Sequence, residues 1–166
     1  MEFCAIDWNE LIKILTPFII AFVVYRVWHN QKGKEVVANL AKEATINILE
    51  ALTSLTVLTF KPPNDLKNLE KFIDKFVELE HHNFRILAFL TECLNDKEIN
   101  EHIKRYNKMS GKVAIRFDLF SDPVSQEGFI TNPIPESLCR EYGEVCEKLI
   151  DELKLYSTYR KTFKYK

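Results

Sequence analysis

An almost uninterrupted apolar stretch near the amino terminus, residues 11–28 (LIKILTPFIIAFVVYRVW), constrains this chain more than any other feature. As a helix it would extend roughly 27 Å at about 1.5 Å per residue, close to the ~30 Å hydrocarbon thickness of a bilayer. We interpret it as a single transmembrane helix; the alternative is a core helix of a water-soluble domain. The expected membrane-anchoring side chains are Leu11, Ile14, Phe18, Ile19, Ile20, Phe22, Val23, Val24 and Trp28.

The charges on either side of this stretch predict its orientation. Residues 1–10 contain no lysine or arginine, whereas Arg26, Lys32 and Lys34 follow the apolar centre. The positive-inside rule then places the amino terminus outside and the rest of the chain in the cytoplasm, at the inner membrane. The same three cations are expected to contact anionic lipid headgroups.

The remaining residues predict an all-α fold, a bundle of four or five helices after the membrane helix. Only 4 glycines against 12 phenylalanines disfavour a turn-rich β fold. Residues 1–34 are expected to form the membrane anchor and a basic joint with a hinge at Gly33, and residues 35–166 the cytoplasmic bundle. Apolar spacings of three and four predict helices over residues 35–60, 66–94, 97–108 and 136–158.

Two segments are less regular. Val113, Ile115 and Phe117 alternate with other residues over 112–120, which is a strand pattern, but a lone strand would have no partner. We therefore interpret this segment as helix and leave a strand open. Residues 121–135 contain three prolines and a glycine, and they predict the one long loop.

The last predicted helix carries the most regular pattern in the chain. Its apolar positions recur at spacings of 3-4-3-4-3, as in the seam of a coiled coil. This seam is predicted to bind a protein partner or a second copy of the chain. Its residues are Cys139, Tyr142, Cys146, Leu149, Leu153 and Tyr156.

A polar interruption in the second predicted helix suggests a metal site. Glu78 and His81 stand three residues apart, the spacing by which one helix presents a carboxylate and an imidazole to one metal ion. His82 and His102 are further candidate ligands. The second copy of the motif that di-iron bundles use is missing, because Ile99 stands three residues before His102. A solvated polar turn is the competing interpretation.

The carboxy-terminal sequence KLYSTYRKTFKYK interleaves cations with aromatic residues. Such a segment can neutralise phosphates and stack on bases, or settle on an anionic membrane. A helix end followed by a frayed tail is the simpler interpretation. Because the net charge is −1, nucleic acid is an unlikely partner.

No phosphate-binding loop, zinc motif or dinucleotide motif is present, and no cofactor is predicted. The sequence therefore favours a membrane-anchored, non-enzymatic interaction module, such as an assembly, regulatory, immunity or defence factor. The first alternative is a metal-dependent helical enzyme using Glu78, His81 and His82. The second is a soluble helical protein or a nucleic-acid binder using the carboxy-terminal tail.

Overall fold

The computed structural model describes residues 8–63, 65–118 and 134–161, with side chains from residue 15 onward. The elements in these residues are four α-helices: α1 (Trp8–Phe60), α2 (Leu66–Cys93), α3 (Lys97–Asp118) and α4 (Glu136–Ser157). The prediction of an all-helical protein is confirmed for this part of the chain. The chain divides into two units, Met1–Val36 and Val37–Lys166, and α1 contributes residues to both.

The part of α1 from residue 37 onward has one buried stripe. Its members follow one another at spacings of 4-3-4-3-4-3, so they form a single helical face: Val37, Ala41, Ala44, Ile48, Ala51, Leu55 and Leu58. Threonines and a serine are frequent towards the end of this helix, which reaches Phe60. Their hydroxyls donate to the carbonyls four residues earlier, as Thr56 does to Leu52 at 2.7 Å and Thr59 to Leu55 at 2.8 Å. Each of these hydroxyls thus has a hydrogen-bond partner within the helix.

Aspartates open the next two helices; the sequence offers Asn64 or Asp65 for the first of these caps and Asn95-Asp96 for the second. The Asp65 carboxylate accepts a hydrogen bond from the backbone N–H of Asn68 at 2.8 Å and caps α2. The Asp96 carboxylate accepts one from the backbone N–H of Glu98 at 2.9 Å, at the first turn of α3. Both caps satisfy N–H groups that have no partner within the helix.

The second unit has one hydrophobic core, to which all four helices contribute. α2 supplies Leu69, Ile73, Phe76, Ile86, Leu87 and Leu90, and α3 supplies Ile99, Ile103, Tyr106, Met109, Val113 and Phe117. The Phe76 ring lies in its centre, edge-on to Phe117 at 5.2 Å and 5.8 Å from Tyr142 of α4. Aromatic pairs in this geometry add to the stability that burial alone provides.

Two predicted interruptions are helical in the structure. The joint at residues 29–34, with its expected hinge at Gly33, lies within α1, and the polar residues 78–83 lie within α2. The helix interpretation of residues 112–118 is confirmed, because they belong to α3, and the strand alternative is wrong for them. A helical glycine costs only about 1 kcal/mol relative to alanine, which neighbouring turns can offset. Residues 119–120 and most of the predicted loop, 121–133, lie outside the described residues.

The predicted membrane anchor is wrong. In the described part of the chain, no helix contains a stretch long and apolar enough to cross a membrane. The polar and basic residues 29–34 follow Trp28 within the same helix, so the apolar stretch does not continue past that residue. The prediction also counted Leu11 and Ile14, whose side chains lie outside the described residues. The single-pass inner-membrane location and the outward amino terminus are corrected with it.

Candidate functional site

A buried polar cluster joins α2, α3 and α4 inside the second unit. The half-buried Glu80 carboxylate accepts hydrogen bonds from the Tyr142 hydroxyl at 2.7 Å and from the Tyr106 hydroxyl. The two hydroxyl oxygens lie 3.3 Å apart. One carboxylate therefore holds two tyrosines from two other helices.

Asn83 extends this cluster one turn further along α2. Its side-chain amide donates to the Tyr106 hydroxyl at 3.0 Å, while its carbonyl oxygen is buried and has no hydrogen-bond partner among the described residues. A buried oxygen without a partner destabilises the fold by about 1 to 3 kcal/mol. Asn83 is fully buried, so its amide fixes the position of the tyrosine ring rather than contacting solvent.

The tyrosine hydroxyls of this cluster and the nearby Cys146 thiol are held in their protonated forms. Burial, together with the nearby Glu80 charge, raises the pKa of Tyr106 and of Tyr142 well above the ordinary tyrosine value. Burial likewise raises the pKa of the Cys146 thiol far above its ordinary value, so the thiolate form is disfavoured. The Tyr106 and Tyr142 hydroxyls therefore remain hydrogen-bond donors, and they link α3 and α4 to Glu80 of α2.

A second polar cluster lies where α4 ends against the turn between α2 and α3. The Lys161 ammonium contacts Asp96 at 2.9 Å, Glu152 at 2.9 Å and Glu98 at 3.2 Å, and its side chain is only 25 % exposed. The Tyr156 hydroxyl also donates to Asp96. Burial alone would raise the pKa of Asp96, but the bonds from Tyr156 and Lys161 outweigh it and lower that pKa to about 2.

This second cluster bears on the predicted basic tail. Lys161 was one of the cations expected to meet phosphate or lipid, and three carboxylates of its own chain already neutralise it. Burial would lower its pKa, yet the hydrogen bonds to Glu152, Asp96 and Glu98 raise that pKa above the ordinary lysine value. Residues 162–166 lie outside the described residues.

The residues of the predicted metal site do not gather around one point. His82 contacts Glu43 of α1, with 2.7 Å between Nε2 and Oε1, while Glu78 and His81 are exposed on α2. His102 is half-buried on α3. Within residues 8–63, 65–118 and 134–161, no three histidine, cysteine or acidic side chains are grouped so that they could hold a metal ion.

A surface groove of about 420 Å³ lies beside the same histidine. Its lining includes Glu50, Lys75, Glu78 and His82. Lys75 and Glu50 contact each other across it at 3.1 Å, and both side chains are about half exposed. An exposed pair of this kind contributes little to stability.

The predicted partner seam of α4 lies inside its own domain. Cys139, Tyr142, Cys146, Leu149, Leu153 and Tyr156 are all buried in the core of the second unit. Gly143 of α4 shows how close the packing is, because a Cβ placed there would lie 3.7 Å from Leu52 of α1. The structure thus pairs this seam with helices of the same chain.

The most exposed apolar surface is the first part of α1. From residue 15 to residue 28, the large apolar side chains are 45–68 % exposed: Leu15, Phe18, Ile19, Ile20, Phe22, Val23, Val24, Tyr25, Val27 and Trp28. At 100° per residue they point in every direction around the helix axis. Tyr25 and His29 stack with their ring centroids 5.8 Å apart, and Lys32 pairs with Glu35 at 3.0 Å.

The sequence identified residues 15–28 as part of an apolar stretch, but it did not lead to a prediction of either polar cluster. Within α2, Glu80 and Asn83 interrupt the buried series Ile73, Phe76, Leu87 and Leu90, and all six residues follow spacings of 3-4-3-4-3. Two polar residues in an otherwise apolar stripe were a readable signal of a buried hydrogen-bond network. The Lys161 cluster had no such signal, because it joins residues far apart in the chain.

No protein-family model, curated protein or solved structure matches this chain. The functional argument therefore starts from the geometry of its own side chains.

Proposed function

We propose that this chain is a non-enzymatic protein-interaction module, and that residues 15–28 of α1 are its docking element. The observation that carries the proposal is the exposure of ten large apolar side chains over these residues. Together they offer on the order of 1,000 Å², whereas the largest apolar patch on a typical monomer is about 300–600 Å². Contiguous exposed apolar surface of that size is typical of a binding site.

The stability of the second unit also supports this proposal. Its polar clusters hold α2, α3 and α4 to one another through Glu80 and through Lys161. Their tyrosines and buried cysteine retain their protons, which suits structural hydrogen bonding. The function class is that of an assembly or regulatory factor, which includes immunity and defence factors.

Site-specific photo-crosslinking in the source cells tests the proposal. Benzoylphenylalanine replaces Phe22, which is 62 % exposed in α1, or Phe84, which is 58 % exposed in α2 and serves as the matched control. We expect a protein adduct from position 22 and none from position 84. The adduct should disappear when Phe18→Asp is added, because a charge inside an apolar contact is strongly disfavoured.

Equal adducts from both positions would contradict the proposal, since they would show no preference for the first part of α1. Adducts from position 22 that contain only lipid would contradict it as well. Persistence of the protein adduct after Phe18→Asp, with Ile46→Asp as a control for an added charge elsewhere, would show that the contact does not use the apolar surface.

A further inference from the structure

We infer that the partner of residues 15–28 is a different protein, with an apolar groove that encloses the helix and carboxylates near Arg26. This inference rests on the proposed docking function and adds the chemistry of the partner. Two observations carry it: the distribution of apolar side chains around the helix, and the sign of the charges along it.

The distribution of the apolar side chains disfavours a second copy as the partner. Phe22 and Val24 lie on nearly opposite faces of α1, and both are more than half exposed. In a closed ring of identical helices, every copy keeps one face turned outward, and that face is ordinarily polar. A helix that is apolar all round is ordinarily buried on every side, and a groove that covers both of these faces would bury it.

The charges indicate what borders the groove. From residue 15 to residue 34 the sequence contains Arg26, Lys32 and Lys34 and no acidic residue. Lys32 is paired with Glu35, while Arg26 and Lys34 have no ionic partner among the described residues. Identical copies aligned in parallel would bring these cations together, whereas carboxylates on a different partner would neutralise them.

Two synthetic helical-hairpin peptides serve as probes for this chemistry. Each presents a leucine-lined groove between its two helices, and the positions that border this groove are all glutamate in one peptide and all lysine in the other. The full chain carries Trp8→Phe, so that the emission of Trp28 alone reports binding. At low salt we expect the glutamate peptide to bind at least tenfold more tightly, and Arg26→Glu to remove or reverse that preference.

Two aspartate variants test enclosure. Phe22→Asp and Val24→Asp should each weaken binding of the glutamate peptide at least tenfold, because both faces are covered, while Ile46→Asp should leave binding unchanged. An effect from only one of the two faces would overturn the enclosed geometry. Equal binding of the two peptides would overturn the acidic border.

Sedimentation of the full chain separates this inference from the docking function itself. If the chain self-associates and Phe22→Asp abolishes this self-association, the partner is a second copy. The inference of a different protein then fails, whereas the proposed docking function remains. If neither peptide binds and the chain instead associates with phosphatidylcholine vesicles, the inference and the docking function both fail.

Discussion

Two parts of α1 are both rich in apolar residues, yet the structure uses them in opposite ways. Residues 37–58 carry a single stripe, and its members are buried against the other helices of the second unit. Residues 15–28 are apolar on every face, and their side chains are exposed. The arrangement of apolar residues around a helix, rather than their number, thus distinguishes a surface that is satisfied within the chain from one that is available to another molecule.

The largest expected difference between the two parts is in stability. Ile48→Ala removes a fully buried side chain and should lower the free energy of unfolding by about 2 to 5 kcal/mol. Ile19→Ala makes the same chemical change at an exposed position of the same helix and should alter it by about 0.5 kcal/mol or less. Urea unfolding followed by circular dichroism measures both. A large loss from Ile19→Ala would mean that residues 15–28 are buried by the chain itself or by another copy.

A smaller difference is expected between buried and exposed tyrosine hydroxyls. Tyr106→Phe removes a hydroxyl that donates to Glu80 and accepts from Asn83, and should destabilise the fold by about 1 to 3 kcal/mol. Tyr25→Phe removes an exposed hydroxyl from the first part of α1 and should be nearly neutral. The same unfolding measurement compares them, and equal effects would show that the Glu80 cluster contributes nothing beyond packing.

The smallest expected difference lies between two lysines of the second unit. Lys161→Met removes the partner of three carboxylates and should cost about 1 to 2 kcal/mol. This lies below the ~1.5 to 3 kcal/mol typical of hydrogen bonds to charged groups, because Glu98 is exposed to water. Lys104→Met removes only an exposed pair with Glu101 and should cost about 0.5 kcal/mol or less. If the two substitutions have the same effect, the Lys161 cluster behaves as an ordinary surface ion pair.

Acid should weaken the Lys161 cluster in a defined pH range. The pKa of Asp96 is about 2 in the folded chain, against 3.8 for an unperturbed aspartate, so its ionised form stabilises the fold at neutral pH. That contribution is complete above about pH 4 to 5 and is lost as the pH falls towards 2. The stability difference between the wild type and Asp96→Asn should shrink over this range. A difference that stays constant from pH 6 to pH 2 would contradict the lowered pKa.

Local patterns account for what the sequence could predict. The stripes of α1 and α4, and the capping residues Asp65 and Asp96, depend on neighbours within a few positions, and the structure contains all of them. Helical periodicity also located the buried face of α4, but it could not tell whether the partner of that face is the same chain or another. That distinction depends on how distant helices pack.

The features that the sequence did not predict correctly depend on contacts between distant residues or on how long and apolar a helix is. The contacts of Lys161 with Asp96 and Glu98 join residues from different helices, which no local pattern reveals. The membrane interpretation was wrong, because no helix in the described part of the chain is long and apolar enough to cross a membrane. By contrast, the sequence shows that residues 15–28 are apolar on every face of the helix. It does not show that these faces are exposed.

The position of Lys161 also constrains the order of events during synthesis. The turn between α2 and α3 provides Asp96 and Glu98, but their cation comes from beyond the end of α4. Chains generally begin to fold from the amino terminus while they are still being made. The first three helices must therefore leave the ribosome with this corner negatively charged and α4 absent. Lys161 offsets part of this negative charge only when residue 161 has emerged, which is after the whole of α4.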